Sequence, residues 1–255
     1  NNQEHAVSLK RRVFSLPTLF SLGVAVAFMV FLATRFELDW SGTWENVRSM
    51  NPWLYVLALS LYYLSFGFRG LRWRLLARNA GIAELPGTRL PSALVFSQLI
   101  VVGWFVNSVT WLRLGDAYRS YAFSERSRSG FSWSLGTVLA ERVTDMATVL
   151  ALIVVAALAF SATSESRGSG YIVAAAFVMF LVMASLLVAM KGFGARLAAL
   201  LPERIENAYH RFQMGALGSL RQLPIVFLLS LAGWMLEAGR LYFVVLALDL
   251  PIPLP

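Results

Sequence analysis

The chain has 255 residues, of which 58% are hydrophobic and only 14% charged, and its mean hydropathy is +0.63. Soluble domains average about 45–50% apolar and about 25% charged residues, so these proportions exclude an ordinary soluble domain and indicate a membrane protein. The net charge of +8 fits basic loops lying against anionic headgroups; nucleic acid is not expected as a partner, because the basic residues flank apolar spans.

The apolar residues come in long unbroken runs rather than in alternation, which selects helices over a barrel. Residues 1–15 are polar and contain Lys10, Arg11 and Arg12; Pro17 to Thr34 then makes a first span of about 18 residues. It has no signal-peptide cleavage pattern, so it is read as a retained helix. The loop from Arg35 to Asn51 places Trp40 and Trp44 as interfacial residues. A second span starts at Pro52, a favoured first helical position, and continues through Arg69, Arg72, Arg74 and Arg78 to a Gly81 cap. Leu90 to Leu112 is apolar but interrupted by Pro91, Gly103 and several small polar residues. A long apolar helix follows from about Phe131 to Phe160, then a clean span from Tyr171 to Met190. Lys191 to Leu223 is amphipathic and divided by Pro202, the pattern of helices lying in an interface. A last span runs from Pro224 to Leu248 and carries Glu237 and Arg240.

Positive-inside reasoning puts the N-terminus, residues 69–89 and residues 191–223 in the cytoplasm, and residues 35–51 and 161–170 outside. An odd number of crossings must therefore separate position 80 from position 165, yet two apolar segments lie between them. One must enter and leave on the same side. Leu90–Leu112 is the candidate, with a break at Gly103 and two arms of about 16 Å each. The fold expected is all-α and polytopic: about five transmembrane helices, one re-entrant hairpin and interfacial amphipathic helices. The chain begins at Asn1 and stops at Pro255 directly after a span. A single transmembrane domain over residues 1–255, cut short at its C-terminal end, is expected. Its expected place is the inner (plasma) membrane, crossed several times, with the N-terminus cytoplasmic.

Ionisable residues at membrane depth are costly and mark function or partners. Arg113, Asp116 and Arg119 form one group, with Gly115 permitting a turn and Asp116 positioned to cap a helix from Ala117. They read either as a seat for a phosphate headgroup or as a capped interfacial helix with snorkelling arginines. Glu141, Arg142 and Asp145 form a second group, about 15 to 21 Å along their helix. Glu141 and Asp145 share a face; they neutralise arginines, take up a coupling proton, or only lock helices together. Glu237 and Arg240, three apart, pair with each other. Cysteine is absent and histidine occurs only at positions 5 and 210. Neither a catalytic centre, a metal site nor a cofactor is expected.

The ordered motifs Arg69-Gly-Leu-Arg-Trp-Arg74, Arg113-Leu-Gly-Asp116-Ala-Tyr-Arg119 and Leu139-Ala-Glu141-Arg142-Val-Thr-Asp145 resemble those of a flippase-like membrane family. That family is named for the transmembrane region of lysylphosphatidylglycerol synthase, the multiple peptide resistance factor. The resemblance covers roughly Leu16 to Pro255. It implies polytopic proteins with re-entrant helices that handle aminoacylated phospholipids or polyprenyl-linked sugars, and it does not extend to synthase activity. By motif match, Arg113, Asp116, Arg119, Glu141, Arg142 and Asp145 would be the functional set, in which Arg113, Asp116 and Arg119 are read as the headgroup seat. From their positions in apolar helices, Glu141, Arg142 and Asp145, with Glu237 and Arg240 on the last span, are expected to form an intramembrane charge network. The function expected is translocation or handling of a phosphate-bearing lipid, with anionic membrane lipids and a second copy of the chain as partners. The alternatives are a scaffold for lipid or envelope enzymes and a membrane-embedded lipid transferase.

Overall fold

The computed structural model describes residues 23–24, 26–31, 40–110, 112, 114–161 and 169–250. Its contacts divide the chain into two units, one of residues 1–51 and 248–251, the other of residues 52–247 and 252–255. In the first, the described elements are a helical stretch at residues 26–31 and α1 (Trp40–Ser49), on which Trp44 is exposed and Arg48 lies over its ring. The remainder of the expected first span lies outside the described residues.

The second unit is built from α2 (Pro52–Asn79), α3 (Ala93–Val109), α4 (Gly115–Ser127), α5 (Phe131–Ser161), α6 (Ser169–Gly192), the short α7 (Gly194–Ala198), α8 (Glu203–Ser219) and α9 (Leu223–Ala247). Among the described residues, α2, α5, α6 and α9 are long and apolar enough to cross a membrane. Each is the span read from the sequence to within a few residues. The protein is an all-α polytopic membrane protein. Gly81 ends α2 with a φ of 79°, a left-handed conformation that glycine adopts without steric cost.

The re-entrant hairpin is built differently from the sequence expectation. Gly103 does not break Leu90–Leu112: α3 is one unbroken helix of 17 residues, about 25 Å long. The returning arm is α4, the charged stretch itself. Gly103 is glycine for another reason. It is buried where α4 crosses, and a Cβ there would meet Gly115 O and Arg119 Cδ, each at 3.2 Å. A mid-helix glycine costs roughly 0.5–1 kcal/mol in propensity, a cost that close backbone contact offsets. Both arms start and finish at one end of the bundle. There Arg89 N donates to Ser127 O at 3.1 Å, and Trp133 Nε1 donates to Ala80 O at 3.2 Å. The hairpin therefore leaves α2 and α5 running as successive antiparallel crossings.

An aromatic cluster fastens this hairpin. Trp73 of α2, Phe96 of α3 and Phe123 of α4 are fully buried, with ring centroids 4.8–5.4 Å apart. Trp73 Nε1 donates to Thr137 of α5 at 3.0 Å, tying the cluster to the fourth helix. On the other side, α8 lies across α5 through Gly215 and Gly136, where a Cβ on either glycine would collide with the opposite backbone. Pro202 immediately precedes α8, as the sequence predicts. Phe193, Leu200, Leu201 and Ile205 remain exposed, as apolar side chains of interfacial helices do.

The hairpin sets a labelling pattern. Cysteines at Glu84 and Glu125, both exposed at its base, are expected to react from the same side of the membrane; one at Trp53, in the first turn of α2, reacts from the other. Reaction of Glu125→Cys from the Trp53 side would mean that α4 crosses the membrane.

Candidate functional site

Six ionised side chains close into a ring in which acids and arginines alternate. Starting from α4, Asp116 Oδ1 accepts from Arg119 Nε at 3.1 Å, and Arg119 Nη1 donates to Glu141 Oε2 at 2.8 Å. Glu141 Oε1 accepts from Arg72 Nη2 at 3.2 Å, and Arg72 Nη1 reaches Asp145 Oδ1 at 2.6 Å. Asp145 Oδ2 lies 3.6 Å from Arg142 Nη1. Arg142 then returns to Asp116 as a two-pronged contact, Nε to Oδ2 at 2.9 Å and Nη2 to Oδ1 at 2.7 Å. Every carboxylate meets two guanidiniums and every guanidinium two carboxylates, so the ring is neutral. One member comes from α2, two from α4 and three from α5. Ser230 of α9 accepts a further bond from Arg72 Nη1 at 2.8 Å.

The ring has a dry side and an open side. Arg72 and Arg119 are 1% exposed and Glu141 is 3% exposed. Arg119 also lies over the Trp73 ring at 4.8 Å, which lysine could not reproduce while reaching both carboxylates. Asp116 and Arg142 keep 37% and 35% of their side chains exposed. These two, with Trp104, Asn107 and Ser108, line a polar pocket of about 690 Å³. A second, apolar pocket of about 550 Å³ runs between α5 and α6 past Val149, Ile153 and Met179. The two pockets share Arg142 and Met146.

Asp116 does not cap α4 as the sequence suggests. The helix begins two residues earlier than expected, at Gly115, whose N–H is taken by Asn107 Oδ1 at 2.7 Å, so the carboxylate is free to join the ring. Burial by itself would raise the Asp116 carboxyl. Hydrogen bonds from Arg142 and the charges of Arg119 and Arg142 outweigh it, and hold the group below its ordinary range. A depressed folded pKa adds stability that is fully present above the unfolded value, about 3.9, and disappears as pH falls through the folded one. The difference in unfolding midpoint between wild type and Asp116→Asn is therefore expected to be constant near neutrality and to shrink below about pH 4. An undiminished difference at about pH 3 would show that the charge of Asp116 contributes nothing.

Of the residues singled out in the sequence, Asp116, Arg119, Glu141, Arg142 and Asp145 thus meet in one ring, whereas Arg113 lies outside the described residues. Glu237 and Arg240 pair at 3.0 Å in a separate cluster on α9, which Arg69 joins from α2. Sequence reading placed Arg69 and Arg72 in the basic segment 69–89 assigned to the cytoplasm, whereas both are buried in the bundle. The signal that distinguishes them is periodic: Ser65, Arg69, Arg72, Leu76 and Asn79 recur at helical spacing and all are buried, while Arg78 is exposed. Arg74 turns away to Pro91 O at 3.0 Å.

A protein-family model described as the lysylphosphatidylglycerol synthase TM region matches residues 18–255. The chain belongs to that family. Two curated relatives of this member of the lysylphosphatidylglycerol synthase TM family are similar at low identity. The UPF0104 membrane protein MJ1078 of Methanocaldococcus jannaschii is 28% identical over 152 residues, which is 57% of this chain and 62% of the relative. The glycosyltransferase AglD of Haloferax volcanii is 28% identical over 155 residues, 61% of this chain and 23% of the relative. The matched part is thus less than two thirds of either relative's length. No solved structure matches the chain significantly.

Proposed function

We propose that this lysylphosphatidylglycerol synthase TM family member moves or presents a phosphate-bearing lipid between the leaflets of the inner membrane, with its N-terminus cytoplasmic. The observation that carries this reading is a pair of neighbouring pockets. A pocket lined by Asp116, Asn107, Ser108 and Arg142 shares Arg142 and Met146 as lining with an apolar one, so headgroup and acyl chain each find a matching environment in one molecule. Arg113, three positions before Asp116 in sequence, completes the proposed headgroup seat, and Arg119 holds Asp116 in place from the dry side of the ring. The ring behind it supports transport in a second way. Its carboxylates already engage the guanidiniums, so an arriving phosphate competes for Arg142 rather than binding a free cation, and it is able to leave.

In liposomes, the full-length protein is expected to speed leaflet exchange of a fluorescent phospholipid or polyprenyl phosphate. Arg142→Gln and Arg119→Lys should slow that exchange, and Arg204→Lys on the exposed face of α8 should not. Unchanged exchange of every phosphate lipid tried, with and without a proton gradient, would remove the transport reading. The relative named as a glycosyltransferase favours a second reading, a membrane-embedded lipid transferase or a scaffold beside one. Turnover of a lipid-linked sugar by the purified chain, or its capture of a lipid enzyme without lipid exchange, would select it.

A further inference from the structure

Among the described residues, Arg142 and Met146 are the side chains that line both the polar and the apolar pocket. They stand four positions apart on α5, one turn above the other on the same face. The common wall of the two pockets is therefore an edge of α5 made of one guanidinium and one thioether. On either side of it the lining changes character. Asp116, Asn107 and Ser108 belong to the polar pocket, and Val149, Ile153 and Met179 to the apolar one.

The residues of this boundary differ in how firmly they are held. Arg142 is fixed by two hydrogen bonds to Asp116, at 2.9 and 2.7 Å, and lies 3.6 Å from Asp145. Asn107 is fixed by the N–H of Gly115 at 2.7 Å. Trp104 packs edge-on to Phe66 at 5.4 Å and lies 5.1 Å from the Arg69 guanidinium, which also sits 5.5 Å from Trp234. Among the described residues nothing comparable holds Met146. It is half-buried and belongs to neither apolar cluster of the bundle, the one around Trp73 and Phe96 or the one around Val143 and Met190. Its unbranched thioether chain changes rotamer readily and adapts to what packs beside it. An amphiphile with its head in the polar pocket and its tail in the apolar one must lay its linking atoms across this edge. Of the two residues there, Met146 alone can yield without breaking an ion pair.

We propose that Met146 is the movable partition between the two pockets, the side chain that sets how readily water or an amphiphile passes from one to the other. This rests on the lipid-handling reading and adds what controls passage within that site. The side chain acts through its volume, not through charge. Shortening it joins the pockets and enlarging it closes them. A methionine that merely filled a core would instead loosen the structure in both cases, through a cavity in one and overpacking in the other.

The chain contains no cysteine, so single reporters can be placed without background. Val149→Cys reports the apolar pocket one turn beyond Met146, and Ser108→Cys reports the polar one. The full-length protein in lipid nanodiscs is treated with a cationic, membrane-impermeant methanethiosulfonate. Ser108→Cys is expected to react readily whatever stands at position 146. Val149→Cys should react slowly beside Met146 and no faster beside Met146→Trp. Beside Met146→Ala it should react about tenfold faster, equivalent to a barrier lower by about 1.4 kcal/mol. In liposomes, Met146→Trp without the reporter cysteines should slow leaflet exchange of a fluorescent phosphate lipid. One labelling rate for Val149→Cys in all three backgrounds, or acceleration by tryptophan as well as by alanine, overturns the proposal. So does an unreactive Ser108→Cys, or exchange in Met146→Trp at a measurable wild-type rate. Labelling that follows the size of residue 146, in a protein that exchanges no phosphate lipid, keeps the partition and removes transport. Normal wild-type exchange with labelling indifferent to residue 146 overturns this inference alone.

Discussion

Glu141→Ala is expected to lose roughly 3–5 kcal/mol of stability, the scale measured when one partner of a buried ion pair is deleted. Glu141 is the one carboxylate that holds both of the fully buried ring arginines, Arg72 through Oε1 and Arg119 through Oε2. Its removal leaves two guanidiniums with one carboxylate fewer each, at a depth where water does not reach them. Arg72 retains Asp145 and Ser230, and Arg119 retains the more exposed Asp116. Arg119 is thus the poorer of the two after the change, and disorder should begin at α4. Glu141→Gln keeps an oxygen for one arginine but points an amide N–H₂ at the other, so it should fall between wild type and alanine. Denaturant unfolding followed by tryptophan fluorescence in mixed micelles gives the ranking. Equal and negligible losses in the two variants would mean that Glu141 is solvated and its contacts are not retained in the membrane.

Gly115→Ala is expected to be damaging as well, for a steric reason. A Cβ at position 115 would sit on Gly103 O and 2.6 Å from Asn107 Oδ1. The first of these atoms is helical backbone and has nowhere to go. Alanine recovers roughly 0.5–1 kcal/mol of helix propensity relative to glycine, whereas forcing a methyl group into close-packed structure costs about 1–3 kcal/mol, occasionally more. The steric term wins, and it acts on the whole arm. Moving α4 away from α3 also draws Asp116 and Arg119 out of the ring. A diagnostic readout follows from Ser120, which is fully buried in this arm. A cysteine there should be unreactive in the wild-type background and labelled in Gly115→Ala. Protection of Ser120→Cys in both backgrounds would show that the close approach of α3 and α4 tolerates a side chain.

These two variants probe what sequence reading did and did not reach. Composition, the long apolar runs, Pro52, Gly81 and Pro202 were sufficient for the class of fold and the helix limits. Those features report local quantities: transfer free energy summed along a span, and backbone conformations that particular residues favour or forbid. The charges of the stretch 113–145 also announced themselves, because ionised groups beside apolar surface are expensive wherever they end up. Their partners did not. Arg72 looks like one more cation of a basic helix end, and only the packing of α2 against α5 and α9 brings it between Glu141 and Asp145.

The hairpin shows the same division. The parity of crossings was enough to demand a segment that returns to its own side, since topology follows from charge and hydropathy counted along the chain. Where it turns was not deducible. A glycine within an apolar helix signals a break or a close backbone contact equally well, and Gly103 serves the second purpose, against Gly115, which lies twelve positions on. By itself the sequence determined that this protein is a helical membrane protein, which residues are too charged to be idle, and to which family it belongs. The tertiary structure decided that three acids and three arginines from three helices close into a neutral ring, leaving Arg69 without an equal partner. Ion pairing depends on distances of a few ångströms between residues up to 73 positions apart, and hydropathy and local spacing carry no information about those distances.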